Sequence, residues 1–138
     1  MARAVAYEGL GTFEFLVDLA SNDLPFVFIE CNPRLQVEHT ITEEVTGVDL
    51  VQTQLTLAAG RSLRDLGLNP DAPPAVLGFA MQWRINAETL DAQGGAVPGS
   101  GTLSRFDLPA GPGIRVDTHG AAGASPSPHY DTLLAKLI

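Results

Sequence analysis

Apolar and polar positions along this chain first follow a strand-like pattern, then a helical one, then strand-like again. Residues 11–18 are rich in β-branched and aromatic side chains (Thr12, Phe13, Phe15, Val17), which predicts a strand. Ser21-Asn22-Asp23 is turn material, and Pro25-Phe-Val-Phe-Ile-Glu-Cys31 reads as a second strand. The two therefore form an antiparallel hairpin. Residues 32–40 read as a polar loop. Thr42 is the expected cap of a short helix that Gly47 stops. Leu50, Val51, Leu55, Ala58 and Ala59 keep helical spacing and predict a helix over 49–59, with Asp49 as its cap and Gly60 at its end.

The run Asn69-Pro70-Asp71-Ala72-Pro73-Pro74 forbids a continuing helix and marks a linker over 69–75. It separates residues 1–68 from 76–138. The second part is rich in Gly and Pro, with short apolar runs between turns, so strands are expected there. Residues 75–87 predict a long one. Along it Phe79, Met81, Trp83 and Ile85 share one face, and Ala80, Gln82, Arg84 and Asn86 the other. Residues 102–106 and 113–118 predict shorter strands. Residues 1–6 resemble the tail of a helix, and 130–138 stop in mid-element, so both ends are expected to be cut. The fold class is α+β.

Composition narrows the function. With 8 Lys+Arg against 16 Asp+Glu, the 138-residue chain carries a formal net charge of -8, which would repel a phosphate backbone, so no nucleic-acid partner is expected. No apolar run is long enough to span a membrane, and no secretory signal opens the chain. The only cysteine, Cys31, allows no internal disulfide, which fits a reducing, cytoplasmic compartment. Seven of the eight basic residues are Arg; the one lysine is Lys136.

The densest chemistry lies in Glu30-Cys-Asn-Pro-Arg-Leu-Gln-Val-Glu-His39. If this stretch is extended, Glu30, Asn32, Arg34, Gln36 and Glu38 point to one side, while Cys31, Pro33, Leu35 and Val37 anchor the other. Glu14, Glu30 and Asn32 are oxygen donors suited to Mg²⁺. Arg34 offers a planar fork for a small oxyanion, Gln36 a further donor, and Glu38 a general base. The same pattern also fits a solvated strand face, with Glu30 and Arg34 as a surface ion pair. His39 reads as a hydrogen-bonding structural residue and Cys31 as core. Arg84 sits mid-strand, which is expensive unless it meets an anion; Glu88 and Asp91 are its nearby candidates. Asp131 and Lys136 read most simply as an ion-pair or surface set.

Several segments together resemble the biotin carboxylase family of ATP-grasp enzymes. They are Gly11-Thr-Phe-Glu-Phe15; the run from Phe28 through Asn-Pro-Arg-Leu-Gln-Val-Glu-His to Leu50; Gln82-Trp-Arg-Ile-Asn-Ala-Glu88; Pro98-Gly-Ser-Gly-Thr-Leu103; Gly113-Ile-Arg-Val-Asp117; and Tyr130-Asp-Thr-Leu-Leu-Ala-Lys-Leu-Ile138. The resemblance covers essentially the whole chain. It implies the end of an ATP-grasp domain over 1–68 and the strand-rich start of a biotin carboxylase C-terminal domain over 76–138.

By the same resemblance, Glu14, Glu30 and Asn32 hold Mg²⁺ or Mn²⁺ against ATP. Arg34, Gln36 and the backbone of Val37 bind bicarbonate, Glu38 deprotonates it, and Arg84 binds biotin and stabilises its enolate. The implied partners are a biotin carboxyl carrier and a carboxyltransferase, as subunits or domains, and a second copy in a homodimer. The family also uses an upstream domain, a Gly-rich lid over ATP and several lysines. The chain is therefore expected to be a piece of such an enzyme, inactive alone; the alternative is a truncated, non-catalytic binding or assembly module. Pro112 stands where the family's dimer stretch often has an aromatic, and Arg115 is retained.

Overall fold

Aromatic and β-branched residues on both sides of a turn make a two-stranded ribbon. In the computed structural model, which describes residues 1–21, 25–69 and 71–138, β1 (Thr12–Val17) pairs antiparallel with β2 (Phe26–Asn32). Asn22 and Asp23 of the expected turn, and Pro70 of the expected linker, lie outside the described residues. The register sets Thr12 opposite Asn32, Phe13 opposite Cys31 and Glu14 opposite Glu30, then shifts at a bulge between Glu14 and Phe15. A bulge bends its strand and re-aims the side chains beside it. Phe15 stands edge-on to Phe26 and Phe28, with ring centroids 5.6 and 5.8 Å away. A ribbon of two strands has little means of covering its own faces. Leu16, Val17, Val27 and Ile29 accordingly stay more than half exposed within this chain.

Helices α1 (His39–Thr46) and α2 (Leu50–Ala58) follow. Gly47 ends α1 in the left-handed conformation at φ 69°, and the Asp49 carboxylate caps α2 by accepting the Gln52 N–H at 2.7 Å. Thr42, however, is not the cap of α1. The helix starts three residues earlier, with Glu38 at the cap position. The cause is a turn in which the Gln36 carbonyl accepts the His39 N–H at 3.2 Å and the Glu38 carbonyl accepts the Ile41 N–H at 3.0 Å. Helical bonding is thus under way before Thr42. Single 3-10 turns occur at Ala2–Val5, where the sequence suggests the end of a helix, and at Arg64–Leu66, which the sequence did not announce.

The chain divides into two compact units, Met1–Phe79 and Ala80–Ile138. In the second, β3 (Trp83–Asn86), β6 (Val116–Thr118) and β7 (Leu133–Leu137) form an antiparallel sheet with β7 in the middle. A separate hairpin joins β4 (Glu88–Leu90) to β5 (Ala96–Pro98). The long strand expected over 75–87 is confined to Trp83–Asn86. Gly78, at φ 68°, turns the backbone out of the extended region, and no other strand pairs with 75–82 among the described residues. The strand expected over 102–106 is also not formed. There the Leu103 N–H donates to the Ala124 carbonyl and its carbonyl accepts from Gly123, a single rung with no ladder beyond it. The strand expected over 113–118 begins only at Val116, because Gly113 turns at φ 74°. Leu134 and Ala135, on the central strand, are the buried apolar residues among those described.

Candidate functional site

The ribbon register brings two carboxylates face to face. Like charges directly opposite on neighbouring strands are destabilising unless something bridges them. Here the bridge is Asn32, two residues beyond Glu30. Its side-chain N–H₂ donates to Glu14 Oε1 at 3.0 Å and to Glu30 Oε1 at 2.9 Å. Gln36 donates to the same Glu14 oxygen at 2.8 Å. Glu14, Asn32 and Gln36 are half-buried and Glu30 is exposed.

The expected single extended face over 30–38 is only partly realised. Extension ends at Asn32, because the chain bends at Pro33 and Arg34, whose N–H donates to the Asn32 carbonyl at 2.8 Å. Glu30 and Asn32 share the strand, and Gln36 returns to Glu14 through the bend rather than through strand alternation. Arg34 is exposed, and its guanidinium donates to the Leu35 carbonyl at 3.2 Å rather than to Glu30. Val37 is half-buried in the turn before α1. Glu38 is exposed; its carboxylate makes no capping bond to α1. On the anchoring side, Cys31 and Leu35 are half-buried and Pro33 is exposed.

Behind this turn lies a cavity of about 340 Å³. Gly11, Phe13, Leu35, Gln36, Glu38 and His39 are among its walls. Gln36 Oε1 is buried without a hydrogen-bond partner. A buried acceptor without a donor is costly and marks a place where a ligand or water would be held.

The donor chemistry suits a hard divalent cation. The Glu14 and Glu30 carboxylates and the Asn32 amide oxygen are hard oxygen donors, and the Asn32 N–H₂ lies between the two carboxylates and donates to both. Among the described residues, no three His, Cys, Asp or Glu side chains converge, so Glu14 and Glu30 stand as a pair of carboxylates with amide neighbours.

Arg84 lies in the second unit, on β3, opposite Lys136 of β7. Its partner is Asp131 at 3.4 Å, not Glu88 or Asp91. Glu88 instead accepts from Asn86 and Thr132, and Asp91 accepts backbone N–H groups of its own turn. Asp131 and Lys136 both sit in ion pairs, though not with each other. Lys136 is buried and pairs with Asp117, which sits directly opposite it on β6. Asp117 also accepts both arms of the Arg115 fork, at 2.9 and 3.0 Å. Those bonds from Arg115, aided by the charges of Arg115 and Lys136, hold its carboxyl below the usual range against the opposing effect of burial. Sequence reasoning missed the Glu43–His39 contact, although the i,i+4 spacing on one helix face was available to it.

Comparison with known proteins completes the picture. Residues 1–66 match the model of the carbamoyl-phosphate synthase L chain ATP-binding domain, and residues 82–138 match the biotin carboxylase C-terminal domain. The chain is 49% identical to pyruvate carboxylase 1 of Caenorhabditis elegans over 139 aligned positions, which cover 100% of this chain and 11% of that protein. It is 42% identical to the biotin carboxylase of Allochromatium vinosum, covering 99% of this chain and 28% of the relative. It thus spans only a small part of the relatives it matches. Among solved structures, a single-chain, multi-domain long-chain acyl-CoA carboxylase superposes with a TM-score of 0.88 at 47% identity, covering 99% of this chain and 14% of that one. The biotin carboxylase domain of a thermophilic 2-oxoglutarate carboxylase, bound to bicarbonate, superposes with a TM-score of 0.85 at 41% identity, covering 99% of this chain and 29% of that one. Two adjoining family matches, relatives sharing more than two-fifths of their residues, and the same antiparallel α+β fold agree: the chain belongs to the biotin carboxylase family.

Proposed function

We propose that these 138 residues form part of a biotin carboxylase, which uses ATP and bicarbonate to carboxylate biotin on its carrier. The observation that carries the reading is the opposed Glu14–Glu30 pair, bridged by Asn32 and joined by Gln36, followed at once by the exposed, uncapping Glu38. In this reading residues 1–68 end an ATP-grasp domain, 69–75 link, and 76–138 begin the C-terminal domain. The partners are a biotin carboxyl carrier and a carboxyltransferase, each as a subunit or a domain, and a second copy in a homodimer; the compartment is the cytoplasm.

Glu14, Glu30 and Asn32 would hold Mg²⁺ or Mn²⁺, which when bound neutralises the ATP phosphates. Arg34, Gln36 and the Val37 N–H hold bicarbonate by charge and by directed donors. Glu38 takes the bicarbonate proton. The freed oxygen attacks the γ-phosphorus, the bond to ADP breaks, and carboxyphosphate forms. That species separates into CO₂ and phosphate, and the phosphate accepts the biotin N1 proton. Arg84 stabilises the resulting enolate as it attacks CO₂.

The competing reading, a non-catalytic assembly module, draws on the single Lys136, whose ammonium faces Asp117. Replacement of Glu38 by Gln in the complete carboxylase separates the two. Loss of bicarbonate-dependent ATP cleavage by about 10²–10⁴ is expected for a general base. Wild-type turnover in that variant would remove the assignment.

A further inference from the structure

We infer that His39 is a positioning residue that aims the Val37 N–H; the inference rests on the reading of residues 36–38 as the bicarbonate and base segment. Gln36 is fixed at both ends. Its side chain donates to Glu14 at 2.8 Å. Its carbonyl oxygen lies 2.9 Å from His39 Nδ1 and also accepts the His39 backbone N–H at 3.2 Å. A carbonyl only accepts, so Nδ1 carries a proton and Nε2 is the ring's other edge. That edge lies 3.9 Å from Glu43 Oε1, one helical turn along α1. The same Glu43 oxygen accepts the Leu50 N–H at 2.9 Å, at the start of α2. The side chains of His39 and Glu43 are only 15% and 8% exposed, so solvent competes weakly for these contacts.

The consequence lies in the peptide unit between Gln36 and Val37. It is planar and trans, so the direction of the Gln36 C=O fixes the opposite direction of the Val37 N–H. His39, the first residue of α1, grips that carbonyl with both its backbone N–H and its ring Nδ1. The start of α1, acting through His39, therefore sets where the Val37 N–H points. This differs from catalysis: His39 touches neither bicarbonate nor ATP in this role.

The test is a steady-state comparison in the complete carboxylase that carries this segment. His39→Leu is expected to raise the KM for bicarbonate about tenfold while the KM for ATP stays within about twofold. His39→Asn keeps a donor at the Nδ1 position and is expected to recover most of that loss. A bicarbonate KM unchanged in His39→Leu would overturn the inference. So would a parallel rise of both KM values in Leu and Asn variants, which is the mark of simple destabilisation. A wild-type enzyme with no bicarbonate-dependent ATP cleavage would instead overturn the functional reading, and the inference with it.

Discussion

Glu14 and Glu30 face each other across the β1–β2 ribbon, 16 positions apart in sequence and directly opposed in register. Neither carboxylate is placed to favour the fold of the ribbon by itself. Their juxtaposition is tolerated because Asn32 and Gln36 turn three donated hydrogen bonds onto them.

Opposite effects on stability and metal affinity follow from that geometry. Glu30→Gln removes one of two facing charges, so the metal-free protein should be as stable or slightly more stable, by a few tenths of a kcal/mol at most, and melt no lower than the parent. The same change removes a hard anionic ligand, so the Mg²⁺ concentration for half-maximal ATP cleavage in the complete enzyme should rise about tenfold. Thermal melts with and without Mg²⁺, beside a Mg²⁺ titration of activity, read both arms. A lower melting temperature with an unchanged Mg²⁺ requirement would mean the pair is structural.

Much of this site was legible before the structure. The hairpin, the caps at Asp49 and Gly47, and the concentration of donors over 30–38 follow from local rules of strand pattern and capping. What escaped the sequence was set by contacts between distant positions. Strand alternation over 30–38 presumed extension, but Pro33 and the Arg34 N–H bond bend the chain, and Gln36 reaches Glu14 by another route. The apolar alternation over 75–82 looked like a strand, yet a strand needs a partner, and among the described residues only Trp83–Asn86 finds one in β7. Arg84 likewise passed over its sequence neighbours Glu88 and Asp91 for Asp131, which the β3–β7 register brings near. Charge pairing across a sheet depends on register, which composition does not carry.

The supply of cations bears on what the 138 residues can bind alone. ATP phosphates are held by Lys, Arg and backbone N–H groups. Of the eight cations, Arg3, Arg61, Arg84, Arg105 and Arg115 each face an aspartate and Lys136 faces Asp117, while Arg34 donates to the Leu35 carbonyl, which leaves few cations for phosphate. The isolated polypeptide should therefore bind MgATP with a Kd weaker than about 1 mM. Calorimetry on the purified 138-residue chain checks this. Sub-millimolar binding would mean that these arginines leave their aspartates for phosphate more readily than the pairing suggests.

Asp117 gives the second unit a defined pH response. Its carboxyl is held below the ordinary 3.8 first by the hydrogen bonds of Arg115, with the Arg115 and Lys136 charges adding to them. A folded pKa below the unfolded one means that the unfolded chain binds the proton more readily. The stabilisation is therefore full above the unfolded pKa, about 4, and is lost as pH falls through the lowered folded value. Asp117→Asn keeps the shape but removes the charge opposite two cations, one of them the buried Lys136. At pH 7 it should cost about 1–2 kcal/mol, a figure kept modest because Asp117 itself is one-third exposed. Urea unfolding of both proteins at a series of pH values from about 7 to about 3 should show the gap constant at first and closing at the acid end. A gap that stays constant to the lowest pH would assign the cost to packing of the amide rather than to the charge.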